Sequence, residues 1–88
     1  MTLIVSIEME RDRAGIYEKF KYSMIQSNEI MQCYQISGSY DFVVIVCVQD
    51  IQAYETFVDR ALHDDLNIRK FDTSVASRTV KHSTAIQL

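Results

Sequence analysis

Apolar residues recur at every second position at the start of the chain, with polar residues such as Ser6 and Glu8 between them. Successive side chains of a β-strand point to opposite faces, so this alternation predicts a first strand with one face turned toward a core. The residues of that face are Leu3, Val5, Ile7 and Met9.

In the next segment apolar residues recur at every fourth position. Ile16, Phe20 and Met24 are apolar, and the residues between them are largely charged or polar. This pattern predicts an amphipathic helix. Asp12 precedes it and is a suitable residue to cap its first turn. The polar stretch 26–29 is expected to end the helix.

Two further strands are predicted at residues 30–37 and 42–48, joined by the short connection 38–41. Asp50 is then expected to cap a second helix, in which His63 falls at the last turn, where a cationic side chain is favoured. The predicted apolar stripe of this helix is Ile51, Tyr54, Val58, Ala61 and Leu62. A last strand is predicted from residue 68 to about residue 81, before a short tail at 86–88.

The resulting element order is β-α-β-β-α-β within a single domain that covers residues 1–88. This order predicts an α+β, ferredoxin-like fold: a four-stranded antiparallel sheet with both helices on one face.

The third strand indicates a need for a partner, because residues 42–48 are all apolar and both of its faces would have to be dry. Two helices cover only one face of the sheet. The other face would expose either Phe42, Val44, Val46 and Val48 or Val43, Ile45 and Cys47. A second sheet from an identical chain is the simplest cover, which predicts dimerisation through the sheet, as in a dimeric α/β barrel.

Composition narrows the class of protein. Of 88 residues, 48% are hydrophobic and 24% are charged, as in ordinary globular domains. The net charge of −3 and the scattered basic residues argue against direct nucleic-acid binding. No signal peptide or membrane span is visible, so a cytoplasmic location is expected. Cys33 and Cys47 lie in apolar runs without metal-ligand spacing, which favours buried, reduced thiols.

Motifs of enzymes are absent, and His63 and His82 lie far apart in the sequence, so we expect no catalytic activity, no metal and no cofactor. One segment departs from simple core formation. The connection 37–41 combines small polar residues, Gly38 and the carboxylate of Asp41. Its chemistry fits either a plain hairpin turn or a ligand-binding loop.

Three blocks of the chain resemble the Lrp/AsnC (leucine-responsive/asparagine regulator) family, and in particular its C-terminal RAM effector domain. Residues 33–42 read C-Y-Q-I-S-G-S-Y-D-F, similar to the family's C-Y-x-V-T-G-D-Y-D-Y. Residues 50–57 are similar to D-x-x-A-Y-E-x-F, and residues 80–86 to V-K-x-T-T-A-L. The chain departs from the pattern at Ser39, where the family has aspartate, and at 66–68, which replaces L-P-G-V.

The resemblance implies dimers that join into rings, commonly octamers, and a small effector, usually an amino acid, bound between dimers. By position it assigns ligand contacts to Ser37, Gly38, Ser39, Tyr40, Asp41, Thr73 and Ser74. No helix-turn-helix segment is visible, so the chain is interpreted as a RAM module of transcription regulation, either stand-alone or cut from a longer regulator. Hetero-assembly with full-length Lrp/AsnC regulators is a further expected interaction.

Two other functions remain open at this stage. The chain could be a purely structural oligomerisation domain, or a small cofactor-free enzyme, since dimeric ferredoxin-like folds also carry enzymes. Detectable ligand binding separates the first from an effector-binding module. A polar or titratable group inside the cavity between sheet and helices would favour the second.

Overall fold

The elements follow one another in the predicted order. This computed structural model describes residues 1–10, 15–63, 65 and 67–84. The helices and strands are β1 Thr2–Met9, α1 Ile16–Gln26, β2 Ile30–Gln35, β3 Phe42–Cys47, α2 Ile51–Val58 and β4 Ile68–Val75. A π-helical turn at Asp59–His63 prolongs α2, which confirms that His63 stands at a helix end.

The strands form one antiparallel sheet in the order β2-β3-β1-β4, which confirms the ferredoxin-like fold. The two central strands are β3 and β1, whereas β2 and β4 lie at the edges. The pairing is irregular at two places: between Ile30 and Gln32 on β2, and between Glu8 and Met9 where β1 pairs with β4. Such bulges bend an edge strand and locally disrupt its hydrogen-bond ladder.

The core lies between the helices and one face of the sheet. The predicted inward face of β1 is confirmed, since Leu3, Val5 and Ile7 have no exposed surface and Met9 has 5%. The face of α1 formed by Ile16, Phe20 and Met24 is also buried. β3 turns Phe42, Val44 and Val46 toward the helices. Burial of each such side chain contributes about 1.5–3 kcal/mol relative to exposure.

The apolar stripe of α2 differs from the prediction at two residues. Ile51, at the first position of the helix, is 47% exposed, whereas Phe57, which the predicted stripe omitted, is fully buried. The buried face is centred on Tyr54, Phe57 and Val58 and continues to Leu62. The reason is geometric: Phe57 follows Tyr54 by three positions, which places it on the same side of the helix.

The two helices begin differently. Asp50 caps α2 as predicted, because its Oδ1 accepts a hydrogen bond from the backbone N–H of Ala53 at 2.8 Å. At α1 the capping position is held by Gly15 instead of the predicted Asp12, and Asp12 lies outside the described residues. Gly15 has a left-handed backbone (φ 81°, ψ 19°), which glycine adopts without the steric cost of a Cβ atom.

Three predicted strands end earlier than expected. β4 ends at Val75, not near residue 81, because its pairing with β1 ends there: the last bond joins Ala76 N–H to the carbonyl of Thr2 at 2.9 Å. β2 ends at Gln35, two residues early, and β3 at Cys47, one residue early. The predicted tail at 86–88 lies outside the described residues.

The cysteine expectation is half right. Both thiols are free, but both residues are exposed and not buried. Cys47 stands on the side of β3 away from the helices, and Cys33 lies on the edge strand β2. Within the described part of the chain, the longest helix, α1, has 11 residues, and no helix is long and apolar enough to cross a membrane.

Candidate functional site

The turn between β2 and β3 is held by the side chain of Asp41. Its Oδ2 accepts a hydrogen bond from the backbone N–H of Met9 at 2.7 Å, and its Oδ1 accepts one from the Tyr17 hydroxyl at 2.7 Å. Asp41 N–H also donates to the carbonyl of Ile7 at 2.9 Å. One residue therefore joins the turn to the end of β1 and to α1. This gives Asp41 a turn-ordering role in addition to the ligand contact that the resemblance assigns to it.

The three residues before Tyr40 are presented outward. Ser37, Gly38 and Ser39 are all exposed, and the turn closes where Ile36 N–H donates to the carbonyl of Asp41 at 2.9 Å. Gly38 has φ 156°, and a Cβ built on it would meet no atom within 4 Å. The backbone at Gly38 is thus open to the approach of another molecule.

Tyr40 connects the turn to the far edge of the sheet. Its hydroxyl donates a hydrogen bond to Oδ2 of Asp72 on β4, and this bond raises the pKa of the tyrosine. The Lys70 ammonium lies 5.5 Å from the centre of the Tyr40 ring, within the range of a cation–π contact. Lys70 Nζ also lies 3.9 Å from Oε1 of Glu8. An aromatic ring, an ammonium and two carboxylates therefore meet beside the turn.

The two candidate residues on β4 point to opposite faces. Thr73 pairs with Val5, whose side chain is buried under the helices, and its hydroxyl oxygen lies 2.5 Å from the Tyr54 hydroxyl. Ser74 pairs with Ile4 on the other face and is exposed. Burial raises the pKa of Tyr54. Thr73 is thus engaged within its own chain, whereas Ser74 is open.

Within one chain, the turn and Thr73 are not brought together. Asp41 lies beside Ile7 and Met9 on the β3 side of β1, whereas Thr73 pairs with Val5 on its β4 side. Two strand spacings, about 10 Å, separate them across the sheet. Ser74 lies on the same face of β4 as Asp72, which accepts the hydrogen bond from Tyr40, whereas Thr73 lies on the other face.

Lys70 and Asp72 were missed by sequence reasoning. Side chains alternate between the two faces along β4, and this alternation would have shown that Lys70 and Asp72 share the face of Ser74. The resemblance directed attention to residues at the motif positions, and the Tyr40–Asp72 bond spans 32 positions of the sequence. No local pattern indicates such a contact.

The second face of β3 points away from the helices. On it, Val43 and Ile45 are half-buried and Cys47 is exposed. Ile4 (40% exposed) pairs with Ile45, and Tyr34 (52% exposed) pairs with Val43. We call these residues the open face: Ile4, Tyr34, Val43, Ile45 and Cys47. An apolar surface of this kind is typical of a protein–protein contact.

A polar groove of about 570 Å³ lies elsewhere, between the end of α1 and the π-helical turn. Arg60 Nη2 donates to Oε1 of Glu29 at 2.9 Å across it, and this bond lowers the pKa of Glu29. None of the seven candidate residues lines it. Among the described residues, no three histidine, cysteine, aspartate or glutamate side chains are grouped as a metal site.

Solved structures with the same fold indicate the class of protein. The fold is shared with about half of each of several transcriptional regulators. An AsnC family regulator from Agrobacterium tumefaciens superposes with a TM-score of 0.87 and 27% identity, over 98% of the chain and 56% of that protein. NMB0573 from Neisseria meningitidis, solved as an L-Met complex, shares the fold with a TM-score of 0.90 at 19% identity, over 98% of the chain and 55% of that protein.

Sequence similarity identifies the family of this chain. The Lrp/AsnC ligand binding domain family matches residues 2–86, and the chain belongs to this family. An uncharacterized HTH-type transcriptional regulator of Sinorhizobium fredii, y4tD, is 35% identical over 88 residues, which is all of the chain and 52% of the relative. The leucine-responsive regulatory protein of Escherichia coli K12 is 24% identical over 86 residues, 98% of the chain and 52% of the relative. The chain spans about half the length of the curated relatives it matches.

Proposed function

We propose that this domain binds an amino acid and self-associates, and that it acts as a regulatory module in transcription rather than as an enzyme. The observation that carries the proposal is the exposed turn at Gly38, which Asp41 holds beside a cluster of opposite charges on β4. Membership of the Lrp/AsnC ligand binding domain family supports it. So does the L-Met complex of NMB0573, a protein of the same fold.

The chemistry beside the turn suits a zwitterion. The open backbone at Gly38 and the Lys70 ammonium are positive partners for a carboxylate, and Asp72 is a negative partner for an ammonium group. Hydrogen bonds to charged groups contribute about 1.5–3 kcal/mol each, so two or three of them suffice for micromolar to millimolar binding together with side-chain burial. Ser39 stands where the family has aspartate, so the preferred amino acid differs from that of relatives with the acidic turn.

The pocket is completed by a second copy of the chain. Thr73 and Ser74 lie on opposite faces of β4, and Asp41 of the turn is separated from Thr73 by two strand spacings. The turn, Lys70 and Asp72 of one chain contact the amino acid, and β4 residues of another chain supply the remaining contacts. In this arrangement the domain forms dimers through the open face and the dimers join into rings. Full-length Lrp/AsnC regulators are its proposed hetero-partners.

A thermal-shift screen against the twenty amino acids tests the binding, followed by calorimetric titration of the amino acid that raises the melting temperature. Lys70→Gln is the informative variant, because Lys70 is a surface residue whose loss leaves the core intact. We expect it to weaken binding about tenfold. Lys19→Gln, an exposed position on α1, is the matched control and should bind as the unaltered protein does.

Asp41→Ala gives a complementary result. Its carboxylate orders the turn, so we expect binding to fall at least about tenfold while the turn loses its connection to Met9 and Tyr17. Equal affinity of Lys70→Gln and the unaltered protein would remove Lys70 from the site. If no amino acid shifts the melting temperature, the domain is a structural oligomerisation module instead.

A further inference from the structure

The segment that follows β4, residues 76–84, is exposed along its whole length. Val80 within it is 96% exposed. We call it the arm. It begins where the sheet ends: Ala76 N–H donates to the carbonyl of Thr2, the first residue of β1. An almost fully exposed valine contributes nothing to the core of its own chain.

The charge of the arm differs from that of the rest of the chain. All 12 acidic residues of the protein precede it, whereas Arg78 and Lys81 lie within it and no acidic residue does. The arm is therefore basic and the remainder of the chain is clearly acidic. A basic segment attached to an acidic body is complementary to the body of a second copy.

We propose that the arm packs on a second copy of this chain, with Val80 in contact with the partner and Arg78 and Lys81 beside its acidic surface. The inference rests on the self-association proposed above, and it adds a contact outside the open face. At about 3.3 Å per residue, the nine residues of the arm reach about 30 Å when extended, which is enough to cross a neighbouring domain of this size. The arm continues from β4, where Ser74 pairs with Ile4 of the open face.

Val80→Ser in the full chain is the decisive variant, and Thr79→Ser, its immediate neighbour in the arm, is the matched control. Sedimentation equilibrium gives the dimer dissociation constant of each protein. Each dimer contains two arms, so we expect Val80→Ser to raise that constant about tenfold or more, and Thr79→Ser to change it little. Circular dichroism should show unchanged helix content in both variants, because Val80 packs on nothing within its own chain.

Ionic strength tests the charge contribution separately. The double variant Arg78→Gln/Lys81→Gln should raise the dissociation constant severalfold at low salt, and the difference should disappear near 1 M salt, where screening acts over about 3 Å. Hydrogen exchange provides a third measurement: amides of the arm should be protected in the assembled protein and lose protection on dilution.

The outcomes separate the two proposals. If the unaltered protein is a monomer at micromolar concentration, the proposed self-association fails and the arm contact fails with it. If it assembles and Val80→Ser assembles equally well, only the arm contact is overturned. Arm amides that exchange freely in the assembled protein, or whose protection is independent of concentration, also overturn it.

Discussion

The hydroxyl of Tyr17 donates to the carboxylate of Asp41 at 2.7 Å, and this bond joins α1 to the turn between β2 and β3. The Tyr17 ring also meets Phe42 edge to face, with the ring centres 5.4 Å apart. The position of the candidate turn is therefore set from the helix side of the sheet, although the turn itself is exposed.

Removal of the Tyr17 hydroxyl is expected to destabilise the domain. Tyr17→Phe keeps the ring contact with Phe42 and removes the hydrogen bond to a charged acceptor, so we expect a loss of about 1.5–3 kcal/mol in the free energy of unfolding. Urea denaturation measures the change. Tyr22→Phe is the control, since Tyr22 is 65% exposed and should shift the midpoint little.

The open face is expected to require an apolar partner. Ile45→Asp places a charge at the centre of that face and should convert the assembled protein into monomers or unfold it, because a buried unpaired charge costs several kcal/mol. Light scattering after size exclusion measures the mass. Ile25→Asp, at a 76% exposed position of α1, should leave the dimer intact. An Ile45→Asp protein with unchanged mass would contradict dimerisation through this face.

The contact between Tyr54 and Thr73 is expected to be energetically coupled. Tyr54→Phe and Thr73→Val each remove one partner of a hydroxyl pair 2.5 Å apart, and each should cost about 0.5–1.5 kcal/mol. The double variant should cost less than the sum of the two, which a double-mutant cycle measures by denaturation. Fully additive losses would mean that the two hydroxyls stabilise the fold independently.

The same variants test the role of Thr73 in ligand binding. If the Thr73 hydroxyl contacts the amino acid, Thr73→Val weakens binding more than Tyr54→Phe does. Equal calorimetric affinities for the two variants would leave Thr73 a purely structural residue that holds β4 to α2.

The bond between Arg60 and Glu29 is expected to make stability depend on pH. Arg60 lowers the pKa of Glu29 in the folded chain below its ordinary value of 4.5. The stabilisation is therefore present above pH 4.5 and is lost as pH falls through the lower folded pKa. Both partners are partly exposed, so the effect is at most about 1 kcal/mol.

Arg60→Gln should flatten that part of the pH profile. The melting temperatures of the variant and the unaltered protein should differ at pH 7 and converge below pH 4. Arg69→Gln, another exposed arginine, serves as the control. A constant difference between Arg60→Gln and the unaltered protein over this range would show that the ion pair contributes nothing.

The sequence predicts the sheet and its buried face because both depend on short-range periodicity. The burial of Val5 and Phe20 follows from spacings of two and four, which local geometry imposes. Strand ends are less predictable, since the end of β4 depends on its pairing with β1, whose last bond joins Ala76 N–H to the carbonyl of Thr2. The position of that end is a property of two distant segments, and no window around residue 75 contains it.

The candidate site is only partly accessible from sequence, for the same reason. The exposed turn at Gly38 is visible as a motif, whereas the bond from Tyr40 to Asp72 depends on how β3, β1 and β4 lie side by side. The opposite orientation of Thr73 and Ser74 follows from strand alternation alone. The contact between the hydroxyls of Thr73 and Tyr54 does not follow from strand alternation, because Tyr54 comes from a helix packed over the sheet.

The bulge in β2 limits how a strand of another molecule can pair with this edge of the sheet. The outer edge of β2 is free, but its pairing with β3 shifts between Ile30 and Gln32, and Met31 stands out at 64% exposure. A straight strand from another molecule would find regularly spaced donors and acceptors only along the four residues 32–35. Stacking of sheets edge against edge into a fibre would need a longer run, so this edge discourages amyloid-like growth. The domain thus combines an exposed apolar face with a sheet edge that resists edge-to-edge polymerisation.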